Sequence, residues 1–289
     1  MPIKSSELIL NPDGSVYHLN LLPEHIANTI ITVGDPDRVE TVTKYFDNIE
    51  FKTRKREFHT QTGTYKGKRI TVISTGIGTD NIDIVFNELD ALVNINLEKR
   101  EIKPNLTSLE IIRIGTSGSI QKNIPIDSFL ISDYAVGFDS LLHFYQSKHV
   151  QFEDISEALI THTNWSKSKS KPYVVACDDS LMKKLSSEKT FKGFTATNVG
   201  FYGPQGRILR LPIQDDGLND KLANFDYKGM PITNLEMETA GIYGLSKLLG
   251  HRALSMNAII ANRATGEFTS RPKEIVDDLI MYCLSKLVD

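Results

Sequence analysis

The chain has 289 residues, with 33 lysines and arginines set against 36 aspartates and glutamates and a formal net charge of −3. A hydrophobic fraction of 40% and a charged fraction of 24% belong to a globular protein, which at this length buries about 75% of its unfolded surface without a disulfide or metal staple. The charge balance argues against a general nucleic-acid binder, and no run approaches the ~20 apolar residues that span a bilayer. The first ten residues lack the basic start and apolar core of a signal peptide, and Cys177 and Cys283 offer no zinc spacing, so the expectation is a cytoplasmic enzyme.

In chain order, Thr29 to Val33 reads as a strand ending at Gly34, and Arg38 to Phe46 as a short helix. Arg69 to Ser74 is a second strand, ended by Gly76-Ile-Gly78. Asn81 to Val93 carries Ile82, Val85, Leu89 and Leu92 at helical spacing. Leu109 to Ile114 is a third strand entering Gly115-Thr-Ser-Gly118, and Ser128 to Ser132 a fourth. Tyr173 to Ala176, Gly193 to Val199, Ile232 to Leu235 and Ala253 to Ala261 complete the strand set, with helices over Thr239 to Leu249 and Pro272 to Leu287. Short β-rich runs alternating with helical patterns indicate an α/β sheet. With no linker and no repeat, residues 1–289 read as a single domain. Ser166 to Pro172 is a solvated loop.

The familiar catalytic motifs are missing. Gly63-Thr-Tyr-Lys-Gly67-Lys68 has the wrong spacing for a P-loop, and Gly76-Ile-Gly78 lacks the third glycine of a dinucleotide fingerprint. There is no GxSxG elbow and no HExxH helix. What remains is glycine at strand ends combined with arginine. Gly34-Asp-Pro-Asp-Arg38 opens a helix whose free N–H groups favour an anion, although by itself it is better read as a capped turn with a surface arginine. Arg113 lies in an apolar strand and must be paired or open to a pocket, since a lone buried charge is very costly. Two such loops at the carboxyl edge of one sheet can converge on one anion. Glu236-Met-Glu238 suits recognition of vicinal hydroxyls, or simply decorates a helix start. Phe201-Tyr-Gly-Pro-Gln-Gly-Arg207 sets an amide and a guanidinium two residues apart, able to read a ring edge of carbonyls and N–H groups. His18, Arg56 and His143 stand alone.

Gly34-Asp-Pro-Asp-Arg38, Ser74-Thr-Gly-Ile-Gly78, Arg113-Ile-Gly-Thr-Ser-Gly118 and Asn234-Leu-Glu-Met-Glu-Thr239 occur in the order found in the nucleoside phosphorylase-I family, which the chain resembles from about His18 to its last helix. Phe201 to Arg207 looks like the base-binding loop of the family's uridine phosphorylases. The resemblance implies a single-domain α/β/α sandwich with a central mixed, partly barrel-like sheet, and reversible phosphorolysis of uridine to uracil and ribose 1-phosphate in pyrimidine nucleoside salvage. By similarity, Gly34, Arg38, Arg113 and Thr116 hold phosphate, with Arg56 reaching in from a neighbouring subunit. Glu238 binds the ribose hydroxyls with Met237 against the sugar and Glu236 beside it, and His18 reaches the 5′-hydroxyl across the dimer interface. Gln205 and Arg207 contact uracil, with Ser117, Gly118 and Phe201 lining the base site.

Purine-active members of the family carry an aspartate where this chain has Asn262, while Arg263 resembles the arginine that supports the base loop in uridine-active members. The resemblance implies no cofactor beyond phosphate as co-substrate, a monovalent cation, K+ or Na+, near Glu57, and a homodimer at minimum, assembled as a hexamer of three dimers. The chain departs from the family in a long connection from Asn94 to Ser108, in Gly203-Pro204 where Pro-Gly is common, and in Gly206 where an acid is usual. The competing readings are a purine nucleoside phosphorylase or nucleosidase of the same family, a silent nucleoside-binding protein, and a dinucleotide-dependent oxidoreductase.

Overall fold

Every residue of Thr29-Ile-Ile-Thr-Val33 is buried, as expected of a strand covered on both faces. In the computed structural model, which describes residues 2–288, this segment is β1 (Thr29–Val33) near the middle of a large sheet. It is followed by α1 (Pro36–Thr43), β2 (Asn48–Lys55), β3 (Phe58–Tyr65), β4 (Lys68–Ser74), α2 (Thr79–Asn94), β5 (Ile95–Asn96), β6 (Glu101–Ile102) and β7 (Glu110–Ser119). The second half holds β8 (Phe129–Gly137), α3 (Glu153–Thr163), β9 (Tyr173–Ala176), α4 (Asp179–Leu185), β10 (Thr190–Thr197), α5 (Leu218–Ala223), β11 (Asp226–Tyr227) and β12 (Met230–Glu236). α6 (Thr239–Leu249), β13 (Arg252–Asn262), β14 (Glu267–Phe268) and α7 (Pro272–Val288) complete the chain.

Twelve strands form one mixed sheet in the order β11-β12-β10-β8-β13-β7-β1-β4-β3-β2, with β9 on β8 and β14 on β13. β1 pairs in parallel with β4 and β7, while β2, β3 and β4 form an antiparallel edge. The sheet also curls back on itself. Asn234 and Leu235 of β12 pair with Ser119 and Gly118 of β7, so β12, β10, β8, β13 and β7 close into a ring. The expected mixed, partly barrel-like sheet is therefore present. Apolar faces of α2, α6 and α7 (Val85 and Phe86, Ile242 and Tyr243, Leu279 and Ile280) pack with β1, β4, β7 and β13 into the main core. A second core gathers Phe138, Val174, Phe194 and Phe225 under α3 and α5. Among the described residues no helix is long and apolar enough to cross a membrane.

Several elements match the sequence reading at both ends, including β1, β9 and α6. Three differences bear on the site. The first helix begins at Pro36 rather than Arg38, because Asp35 caps it by accepting from the Asp37 N–H at 2.9 Å. Gly115-Thr-Ser-Gly118 is strand rather than loop, since pairing with β13 continues to Asn262↔Ser119 through a bulge between Ile259 and Ala261. The long connection after α2 folds into the β5–β6 ribbon, pinned where Asn94 donates to Thr107 O at 3.1 Å and accepts from Thr107 N at 2.6 Å.

Candidate active site

The carboxyl ends of β1, β7, β12 and β13 open on a cavity of about 1130 Å³, the location expected for ligands of open α/β sheets. Arg113 sits in its floor. Register places Arg113 beside Thr32 on β1 and Ser255 on β13, and the residue is only 6% exposed. Its Nη2 lies 2.6 Å from Glu238 Oε2 and 3.2 Å from Glu236 Oε2. Nη1 donates to Asn257 Oδ1 at 2.9 Å. Burial alone would lower the Arg113 pKa, but Glu236 and Glu238 outweigh it and hold the guanidinium above its ordinary value. Gly115 makes this geometry possible: a methyl group there would overlap the Arg113 guanidinium, which lies across the strand's own backbone.

The two carboxylates differ in what they have left to offer. Glu236 accepts from Thr197 Oγ1 at 2.6 Å, Thr239 Oγ1 at 2.8 Å, and the backbone N–H groups of Glu238 and Thr239. Its acceptor sites are filled, and it fixes the start of α6. Among the described residues Glu238 accepts only the Gly78 N–H, at 2.9 Å, besides Arg113, which leaves it lone pairs for a ligand. Burial, with Glu236 adding to it, raises the Glu238 pKa against the pull of Arg113. Met237 lies between them on the cavity wall.

Gly34, Arg38 and Thr116 line the same cavity. Among the described residues no carboxylate lies within 4 Å of the Arg38 guanidinium. Burial and the charge of Arg113 both depress its pKa. Asp35 and Glu238 offset this only in part from beyond ion-pair distance, so a half-buried guanidinium facing a second one has room to pair with an anion. Glu57 also lines the cavity, and its carboxylate makes no hydrogen bond among the described residues.

At the other end stand Phe201, Gln205, Arg207, Asn262 and Arg263. Gln205 is 3% exposed, and its Oε1 accepts from Arg207 Nη1 at 2.6 Å. The Arg207 guanidinium stacks 3.7 Å from the Phe201 ring, and Arg263 donates to the Gln205 carbonyl. Asn262 proves to be structural: its amide donates to Gln121 O and Ile124 O and accepts from Ala264 N and Thr265 N, so the side chain is fully engaged. Gly118 lines the cavity with Ser117, whose hydroxyl accepts from Asn234 Nδ2 at 3.0 Å.

His18 and Arg56 lie outside this chain's own cavity. Arg56 occupies the exposed β2–β3 turn at φ 56°. His18 Nδ1 is 2.6 Å from Glu88 Oε1 on α2, and Glu88 also accepts the backbone N–H groups of His18 and Leu19. His143 is exposed and bonded to the Lys171 carbonyl, away from the site. Asn257, Thr197, Thr239 and Glu88 were not singled out from sequence. An amide inside the apolar run Ala253 to Ala261 was the one signal that could have marked Asn257. Burial pushes the Cys177 thiol up to about 12 and that of Cys283 well above its usual range, so neither is a nucleophile.

A family model described as the phosphorylase superfamily matches residues 28–282. A uridine phosphorylase of Thermococcus kodakarensis is 29% identical over 270 residues, covering 91% of this chain and 83% of that protein. A DeoD-type purine nucleoside phosphorylase of Listeria welshimeri is 25% identical over 274 residues, covering 94% and 98%. The solved structure of a Trypanosoma brucei nucleoside phosphorylase, described as showing uridine phosphorylase activity, aligns with a TM-score of 0.86 at 28% identity over 97% of this chain and 99% of that one.

Proposed function

The chain belongs to the phosphorylase superfamily, and on that premise we propose that it is a uridine phosphorylase, splitting uridine with inorganic phosphate into uracil and ribose 1-phosphate within pyrimidine nucleoside salvage. The observation that carries this reading is Arg38, a guanidinium with no ion-pair partner within 4 Å among the described residues, beside Arg113 at one end of a cavity whose other end is the Gln205–Arg207 pair. Phosphate bound by Arg38, Arg113, Thr116 and the Gly34 backbone attacks the anomeric carbon as the bond to uracil N1 breaks. The electron pair of that bond leaves with uracil, and Arg207 and Gln205 stabilise the charge that develops there. Glu238 accepts from the ribose hydroxyls, while Glu236 acts through the positions of Glu238 and Arg113. Phosphate arrives already anionic, so no general base is required. Charge-assisted hydrogen bonds of this kind contribute about 1.5–3 kcal/mol each.

Within one chain negative charge is already plentiful around Arg38 and Arg113, since Glu236 and Glu238 lie against Arg113 and Asp35 and Glu57 line the same cavity. A dianion therefore calls for a further cation, and Arg56 of the partner subunit supplies it in this reading, with His18 of the partner subunit on the ribose 5′-hydroxyl. The minimum assembly is a homodimer, extended to a hexamer of three dimers. The free carboxylate of Glu57 suits a monovalent cation, which would contribute charge balance rather than chemistry. Pyrimidine preference rests on Asn262, whose engaged amide provides no acid for a purine N7.

Base release from uridine, thymidine, inosine and adenosine, followed by ultraviolet absorbance with and without phosphate, tests the proposal. Uridine should be cleaved only when phosphate is present, and Arg113→Ala should lower turnover by at least about 10²-fold. Equal release without phosphate would indicate hydrolysis, and a higher kcat/KM for inosine would replace uridine with a purine substrate.

A further inference from the structure

A second cavity, of about 940 Å³, lies on the far side of the Phe201–Arg207 loop. Its volume is in the range of small-molecule sites. Phe138, Trp165 and Tyr202 give it aromatic walls, with Leu209, Leu211 and Ile213 opposite. Leu209 is 75% and Leu211 67% exposed, and apolar side chains left open around a concave surface mark a ligand site. Two buried polar residues sit in the lining: Asn198, 2% exposed, and Asp139, 7% exposed. Asp139 accepts from the Tyr173 hydroxyl at 2.8 Å and the Leu141 N–H at 2.8 Å, which leaves lone pairs on Oδ2.

Charge in this cavity is lopsided. Its second acid, Asp215, is neutralised by Lys221 at 2.8 Å. Lys169, Arg207 and Arg210 also line it, and among the described residues none of the three has a carboxylate within 4 Å. Aromatic walls, a buried acceptor and cations in excess of acids select a planar ring that carries an N–H donor and an anionic arm.

We propose that this cavity is an effector site for a nucleoside monophosphate, with the base N–H on Asp139 and the phosphate at Lys169 and Arg210. Because Arg207 lines both cavities, a bound anion draws its guanidinium away from Gln205 and the base site. Occupancy then raises KM for uridine, and saturating uridine weakens the effector reciprocally.

Trp165 is the sole tryptophan of the sequence, so its fluorescence reports on this cavity directly. Uridine 5′-monophosphate should change Trp165 emission saturably, whereas uridine, inorganic phosphate and ribose 5-phosphate should not. The K169A/R210A double variant, altered outside the active site, should bind the nucleotide at least about tenfold more weakly and lose the KM effect. 3-Methyluridine 5′-monophosphate, lacking the N–H, should also bind about tenfold more weakly. Saturating uridine should weaken nucleotide binding to a plateau. Unlimited displacement by uridine would put the nucleotide in the active site and overturn the proposal. So would unchanged affinity in the double variant or for the methylated nucleotide. A response to 8-anilinonaphthalene-1-sulfonate without one to the nucleotide would show a generic aromatic-anion pocket instead. The phosphorolysis reading is tested separately by base release, so the two can fail independently.

Discussion

In the proposed reaction Glu238 serves two partners, Arg113 within the chain and the hydroxyls of a bound sugar. Burial and the neighbouring Glu236 hold its pKa above the ordinary 4.5. Between those two values the folded chain keeps a proton that the unfolded chain has released. The stability contributed by this group is therefore full at acid pH and declines as pH rises through that window. A carbon-13 titration of the Glu238 carboxyl, assigned with Glu238→Gln, should show a midpoint above 4.5; a midpoint below it would mean that Arg113 dominates. Glu88 makes a second case. It clamps His18 through the imidazole and through two backbone N–H groups, so it acts as a positioning residue if His18 serves the ribose 5′-hydroxyl. Glu88→Gln should lower kcat/KM for uridine about tenfold, the worth of one hydrogen bond to a charged group, while leaving 5′-deoxyuridine unaffected. An equal loss on both substrates would point to a structural role alone.

At the level of elements, β7 is tightly constrained at one point, because the Arg113 side chain folds back over Gly115. Gly115→Ala should cost about 1–3 kcal/mol by overpacking and displace the Arg113 guanidinium. The measurement is phosphate-dependent turnover alongside circular dichroism: turnover should drop at least tenfold with the secondary structure retained, and unchanged turnover would show that Arg113 tolerates the shift. The same strand shows what could be read from sequence and what could not. Gly34, Arg38, Arg113 and Glu238 stand out because glycine and charge at the end of an apolar run are locally improbable. The extent of β7 does not, since Gly115 to Gly118 becomes strand only through pairing with β13. The β2–β3 hairpin was missed for a related reason: β3 is buried yet reads Thr-Gln-Thr in its centre, and hydrogen bonds from Thr43 Oγ1 to Gln61 at 2.6 Å and from Thr62 Oγ1 to the His25 carbonyl at 2.6 Å make two of those three polar groups tolerable inside. Thr197 and Asn257 support the site only through Glu236 and Arg113, and such second-hand roles carry no local pattern.

For the molecule as a whole, the positions of His18, half-buried, and Arg56, exposed, outside the cavity bear on how many copies make one site. If Arg56 acts across an interface, mixing Arg56→Ala and Arg113→Ala proteins should restore part of the activity, because some hybrid dimers hold one site with both arginines intact. No recovery after demonstrated subunit exchange would count against a site built across the interface. The closed ring of β12, β10, β8, β13 and β7 has a kinetic consequence. Arg113 and the Glu236–Glu238 pair reach each other through the Leu235↔Gly118 seam, which joins segments more than a hundred residues apart. Closure of that loop is entropically costly and slow compared with local helix formation. During refolding, far-ultraviolet ellipticity should therefore return well before activity, with the catalytic constellation appearing only as the last seam of the barrel zips shut.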